Sequence, residues 1–150
     1  MSENIKRANK NDANIIGEVF NLYRVFYKQE SNVEIAQKYI AERITNNESV
    51  IFFAEDNGRC IGFTQWYPTF DSVNVRQKIV LYDLFVREEY RRKGFAKLLM
   101  NAAKQYASEN NFGSIELSTA KTNTPGQSLY ESLGYILSLI HIWRCRRVGV

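Results

Sequence analysis

The sequence predicts a mixed α/β (α+β) fold, one twisted sheet with helices on both faces. Three observations carry that expectation. The apolar period switches from helical to strand-like near Val50 and returns to helical after Gly94. The resulting element order, βααβββαβαβ, sets three consecutive strands between helices. At 150 residues the chain is long enough to bury a core and too short for two ordinary domains.

Each element has its own signal. Ile5 to Ala8 reads as a short strand. Apolar residues at Ile15/Ile16, Val19/Phe20, Leu22/Tyr23 and Phe26 repeat at helical spacing, with Asn11 or Asp12 placed to cap. Ser31-Asn32-Val33-Glu34 reads as a capping box for a second helix, with Ala36, Tyr39/Ile40 and Ile44 inward. Val50 to Ala54 is a strand, and Cys60 to Tyr67 is its partner, ended by Pro68. Asp56-Asn57-Gly58 joins them, because Asn and Gly tolerate the positive φ of a type I′ turn.

After a polar loop, Ile79 to Val86 forms the longest and most apolar strand. Glu88 to Gly94 then leads into a helix with Phe95, Leu98/Leu99, Ala102/Ala103 and Tyr106 inward, stopped by Asn110, Asn111 and Gly113. Ser114 to Ser118 is another strand. Pro125 and Gly134 bracket a short helix, in keeping with proline-first and glycine-last usage, and Tyr135 opens a further strand.

Composition narrows the class of function. Apolar residues make up 45% and charged residues 24%, the balance of a folded soluble chain. No apolar run approaches the length of a spanning helix, and the opening Met1 to Asn4 is polar, so a cytoplasmic protein without membrane contact is expected. The formal net charge is +4, yet three of the twenty basic residues, Arg144, Arg146 and Arg147, fall within four positions of the tail. The first 136 residues therefore carry seventeen basic and sixteen acidic side chains, which gives no basis for a nucleic-acid surface. Two distant cysteines and one histidine argue against a disulfide framework or a metal site.

The chemistry concentrates around Gly94. An apolar strand ending Asp83-Leu84-Phe85-Val86 runs into Arg91-Arg92-Lys93-Gly94-Phe95-Ala96, where a helix begins. Backbone N–H groups at a helix N-terminus are unpaired and sit at the positive end of its dipole, so they suit a phosphate. Gly94 has no Cβ to hold an anion off, Ala96 is small, and the three basic residues add charge.

This strand, turn and helix resemble the acetyl-CoA signature R-x-x-G-x-A of the GCN5-related N-acetyltransferases (GNAT). Asn123-Thr124-Pro125-Gly126-Gln127-Ser128-Leu129-Tyr130, continuing to Gly134-Tyr135, resembles the family's second block, with Gly126 where the family more often has Ala. The resemblance implies the family's mixed, mostly antiparallel sheet, and acetyl-CoA as co-substrate with no metal. It implies that the amides of about Arg92 to Ala96 hold the pyrophosphate. The backbone of Leu84, Phe85 and Val86 would pair with the pantetheine arm, and Asn123 would bond to it.

Tyr130 would lie near the thiol and protonate the departing thiolate, against the alternative that it only packs with Leu129 and Leu133. Asp83, an acid in an apolar strand, is the first candidate for the general base, against a structural aspartate; Tyr82 and Glu55 are fallbacks. Cys60 reads as a small buried hydrophobe. Tyr23, Phe26, Tyr27, Trp66, Tyr67 and Phe70, with Glu30 and Asp71 and the loop Thr69 to Gln77, would form an acceptor site for a cation, against the alternative that most of these rings are core.

The expected reaction is acetylation of a primary amine on a small molecule. The Tyr82-Asp83-Leu84-Phe85-Val86 stretch is similar to the polyamine and thialysine acetyltransferase branch. The alternatives are a protein N-terminal or lysine acetyltransferase, or an acyl-CoA-binding domain without turnover; a homodimer is left open. Residues 1–136 are taken as the domain. Residues 137–150 resemble a translated sequencing adapter, so the family's last strand is expected to be missing or replaced; the alternative is an apolar last strand followed by a basic end.

Overall fold

The computed structural model describes residues 4–119, 122–137 and 142–145. In chain order the elements are β1 (Ile5–Arg7), a 3-10 turn (Lys10–Asp12), α1 (Ala13–Phe26), α2 (Val33–Thr45), β2 (Val50–Asp56), β3 (Arg59–Asp71), β4 (Arg76–Val86), a second 3-10 turn (Glu88–Tyr90), α3 (Phe95–Glu109), β5 (Ser114–Ser118), α4 (Thr124–Ser132), β6 (Ile136–Leu137) and β7 (Ile142–Cys145). They build one sheet in the order β1-β2-β3-β4-β5-β7-β6. All neighbours run antiparallel except β4 and β5.

Local chemistry explains the joints. Asn57 and Gly58 take φ of 51° and 78°, and Asp56 pairs with Arg59, so the β2–β3 hairpin closes on the expected turn. Asn32, not Ser31, is the N-cap of α2, accepting from the Ile35 amide at 3.1 Å. Ser31 instead accepts a bond from Asn21, one residue off the expected box.

Pro68 does not end β3, which continues to Asp71. Beyond the Val50–Trp66 pair β3 has no β2 residue beside it, and a proline is tolerated where one strand edge needs no donor. The expected polar loop is thus a hairpin arm, with Thr69 to Asp71 paired to Arg76 to Lys78. Of the two outcomes expected for the last strand, the structure has a strand in place: β7 pairs with β5 and β6, while the rest of 138–150 lies outside the described residues.

Helices cover both faces. α1 and α2 bury Ile16, Val19, Phe20, Ala36 and Ile40 against Ile51, Phe53, Cys60 and Phe63. On the other face α3 packs Met100, Ala103 and Ala107 on Trp66, Ile79, Ile115 and Leu117.

One irregularity in the sheet aims the site. Gln65 pairs with Asp83 and Trp66 with Leu81, leaving Tyr82 as an extra residue in β4. Such a bulge breaks the strict in–out alternation of a strand. Leu81 stays on the α3 face with Trp66, whereas Asp83 follows Gln65 onto the face of α1.

Candidate active site

The sheet splits where the site forms. β4 and β5 pair over Lys78–Val80 and Ser114–Glu116, so among the described residues the half of β4 from Leu81 to Val86 has β3 on one edge and no strand on the other. A cleft of about 620 Å³ fills the split. Its walls are Tyr23, Phe26 and Tyr27 of α1, Leu81, Tyr82, Leu84, Phe85 and Val86 of β4, Arg91, and Ser118, Thr119, Asn123 and Tyr130 opposite. The cleft-facing edge of Leu84 to Val86 is therefore open to whatever enters, as a β-augmentation site would be, with the Val86 carbonyl already held by Arg91.

α3 begins beside the end of that strand. Gly94 is its N-cap in the left-handed region, with φ of 86°, no side chain caps the first turn, and that turn holds no acid. The first helical bond runs from the Leu98 amide to the Gly94 carbonyl, so the amides of Phe95, Ala96 and Lys97 have no acceptor within the helix. Arg91 is fixed rather than free: its Nε donates to the Val86 carbonyl at 2.8 Å and its guanidinium lies 5.1 Å from the Phe85 ring centre. Arg92 is exposed in a positive-φ turn, and Lys93 lies over Tyr90. Open amides with three basic residues just before them in the chain can hold a pyrophosphate.

Across the cleft, Asn123 is the N-cap of α4. Its Oδ1 accepts from the Gly126 amide at 3.1 Å, and its Nδ2 donates to Thr119 Oγ1 at 2.9 Å. Gly126, where the family more often has Ala, is required by this fold of the side chain: a Cβ there would sit 2.4 Å from Asn123 Nδ2. Tyr130 is 7% exposed and stacks edge-on to Tyr135. It packs in the core with Leu129 and Leu133 near it and also lines the cleft. Burial raises the pKa of its phenol, which keeps the hydroxyl protonated and able to donate.

Asp83 lies just behind the cleft wall. Its Oδ2 accepts from Gln65 Nε2 at 2.8 Å, and the Gln65 amide oxygen accepts from Ser49 Oγ at 2.8 Å. Burial pushes the Asp83 carboxyl up, and hydrogen bonds from Gln65 and Tyr23 pull it partly back. The single proton of the Tyr23 hydroxyl is shared between Asp83 and the Tyr82 carbonyl, 3.4 Å away, and Tyr23 lines the cleft in front of the acid. Burial, with the Asp83 charge beside it, raises the Tyr23 phenol strongly.

Tyr82, at the bulge, is 64% exposed and faces the cleft. Glu55 is drawn away into an ion pair with Lys6 at 2.6 Å. Cys60 is fully buried and its thiol is pushed up to about 12, as suits a packing residue.

The expected acceptor residues divide. Tyr23, Phe26 and Tyr27 wall the cleft. Trp66 is core, and Asp71 is bound to Asn74 and Arg76 at the tip of the hairpin arm. Tyr67 shares a 2.8 Å hydroxyl bond with Tyr39 and packs edge-on to Tyr82. Sequence reading missed Ser49 and Gln65. The usable signal was a polar amide within the apolar run Ile61 to Trp66, since a buried amide demands partners. Among the described residues no three of His, Cys, Asp and Glu group as a metal site, and no helix is long and apolar enough to cross a membrane.

A split sheet with an open strand edge, an uncapped helix N-terminus beside it and a buried phenol opposite make up the candidate site of an acyltransferase. The chain belongs to the acetyltransferase (GNAT) family, whose model matches residues 16–135. It is 46% identical over 132 residues to the uncharacterized N-acetyltransferase YhfO of Bacillus subtilis, covering 88% of this chain and 89% of that protein. It is 35% identical over 89 residues to the L-ornithine N5-acetyltransferase NATA1 of Arabidopsis thaliana, 59% of this chain and 38% of that longer protein. The crystal structure of a probable acetyltransferase superposes with a TM-score of 0.85 at 33% identity, covering 91% of each chain. The chain is thus an enzyme with N-acetyltransferase activity of the GNAT type.

Proposed function

We propose that this enzyme transfers the acetyl group of acetyl-CoA to a primary amine of a small molecule, polyamine-like or amino-acid-like. The observation that carries the reading is the free edge of Leu84 to Val86 leading to the open amides of Phe95 to Lys97. A pantetheine arm can extend along that edge, and a pyrophosphate can sit on the amides with Arg92 and Lys93 around it. Acetyl-CoA supplies an acetyl group on a thioester. Tyr23, Phe26, Tyr27 and Tyr82 give the acceptor an aromatic wall suited to a cation. The likeness to an ornithine acetyltransferase favours a small diamine or amino acid over a protein chain, and extends to this enzyme the polyamine and thialysine branch resemblance.

Asp83 takes the proton of the ammonium through the Tyr23 hydroxyl or a water, since its carboxylate lies behind the wall. The freed amine forms the N–C bond as the C–S bond breaks. Backbone N–H groups of β4 polarise the thioester carbonyl, Tyr130 gives its proton to the leaving sulfur, and the second proton of the acylated nitrogen returns to the Tyr130 oxygen. Asn123 contributes by fixing the start of α4, with any bond to pantetheine made from its amide edge.

We extend the reading to the chain's division: residues 1–136 carry the domain and 137–150 derive from adapter sequence. A genomic locus encoding Leu137 to Val150 in unbroken frame overturns that last point. The activity itself is tested by mixing the protein with acetyl-CoA and a panel of ornithine, polyamines, lysine and an N-terminal peptide, following free thiol. Release with the small amines is expected; release with the peptide alone turns the reading to a protein acceptor, and tight acetyl-CoA binding without release to a binding domain.

A further inference from the structure

Gln65 spends both ends of its amide on one line of polar contacts inside an otherwise apolar sheet. It is 0% exposed, and Ser49 at its far end is 7% exposed. Burying an amide for packing alone is costly where a leucine or methionine would fill the same space. An ionised carboxylate can only accept, so the Gln65 N–H must face Asp83 and its oxygen is left for the Ser49 hydroxyl. From the neighbouring rung of the ladder Thr64 Oγ1 donates to the Asp83 carbonyl at 3.0 Å, which holds the backbone of the acid in place. The bulge at Tyr82 supplies the remaining condition, since it turns the acid onto the face that Gln65 occupies.

We propose that Gln65, backed by Ser49, is a positioning residue that keeps Asp83 ionised and turned toward the Tyr23 side of the cleft. This rests on the reading of Asp83 as the general base. The titratable groups facing the acid are Tyr23 from α1 and Tyr67 from β3, the latter bonded to Tyr39 of α2. Among the described residues no lysine or arginine forms an ion pair with Asp83, so the amide is its strongest neutral donor. Burial alone would favour the protonated acid, and a hydrogen bond to the charged form opposes burial.

The sign follows directly. A base works only when deprotonated, so losing the Gln65 donor raises the pH below which turnover falls. The test uses the full chain with Gln65→Met and Ser49→Ala, each read in two ways: a carbon-13 titration of the Asp83 carboxyl, which needs no turnover, and the pH profile of kcat with acetyl-CoA and the best amine. Gln65→Met should move both the carboxyl titration and the acid limb upward by about one pH unit, an approximately tenfold loss of kcat below the limb, with KM for acetyl-CoA unchanged. Ser49→Ala should move both the same way by less, because the amide keeps its bond but loses its anchor. An unmoved carboxyl titration overturns the proposal, and if Gln65→Met does not fold, Ser49→Ala decides alone. A carboxyl titration that moves while the kcat limb stays shows instead that Asp83 is not the base, and the proposal falls with that reading.

Discussion

Two helices begin at the cleft, and they begin in opposite ways. α3 starts from Gly94 with no side chain over its first amides and no acid in its first turn. α4 starts from Asn123, whose side chain folds back onto the Gly126 amide and across to Thr119. Every helix leaves its first N–H groups without internal partners, and the fold has answered that need twice. At α4 the answer is internal, and the helix end serves as a support. At α3 the need is left standing, and cations gather where an ordinary helix would place an acid. An unfinished end next to an open strand edge is the feature on which the proposed carrier site rests.

The largest test of the contrast is to close the open end. Gly94→Glu should abolish measurable acetyl-CoA binding in calorimetry, a loss of more than about 100-fold, because a carboxylate would cover the amides. Gly94→Ala is the control. No atom lies within 4 Å of a Cβ there, so Ala pays only the left-handed backbone strain, about 1 kcal/mol, and should keep binding within a few-fold. Equal losses in the two variants would assign the effect to strain and remove the anion site.

The next test belongs to the finished side of the cleft. Tyr130→Phe should lower kcat on the order of 10²-fold while acetyl-CoA affinity is kept, the signature of a lost proton donor. Turnover within about twofold of the parent would leave Tyr130 a packing residue, a role its place in the core already fills.

The smallest effect is the most discriminating between the helix ends. Asn123→Ala removes a cap and should cost about 1 kcal/mol in denaturant unfolding. Gly126→Ala should cost a similar amount, since its Cβ would displace the capping amide. If both variants lose acetyl-CoA affinity with unchanged stability, Asn123 serves the carrier and not the helix, and the contrast drawn above fails.

Sequence carried the connection elements better than the aim of side chains. The Asn57-Gly58 turn, the Pro125 and Gly134 ends of α4 and the helix start at Gly94 all follow from backbone constraints that belong to single residues. The cap of α2 slipped by one because Ser31 and Asn32 are chemically equivalent until Asn21 takes Ser31 as its partner. Pro68 failed as a stop because an edge position, invisible in sequence, excused its missing N–H. The bulge left no trace at all: Leu81, Tyr82, Leu84 and Phe85 are apolar or aromatic on either side, so no pattern marks where the alternation changes. The direction of Asp83 followed from that, and so did its partners Gln65 and Ser49.

The extra residue at Tyr82 also separates what selection can change. In a regular strand, positions 81 and 83 would share one face, and any change to the acid would disturb the packing beside it. Here Leu81 answers to Trp66 and Met100 while Asp83 answers to Gln65 and Tyr23, so neighbouring positions belong to different neighbourhoods. A lineage can retune the acid without repacking its core, or repack the core without moving the acid. One inserted residue thereby grants two adjoining stretches of strand independent histories.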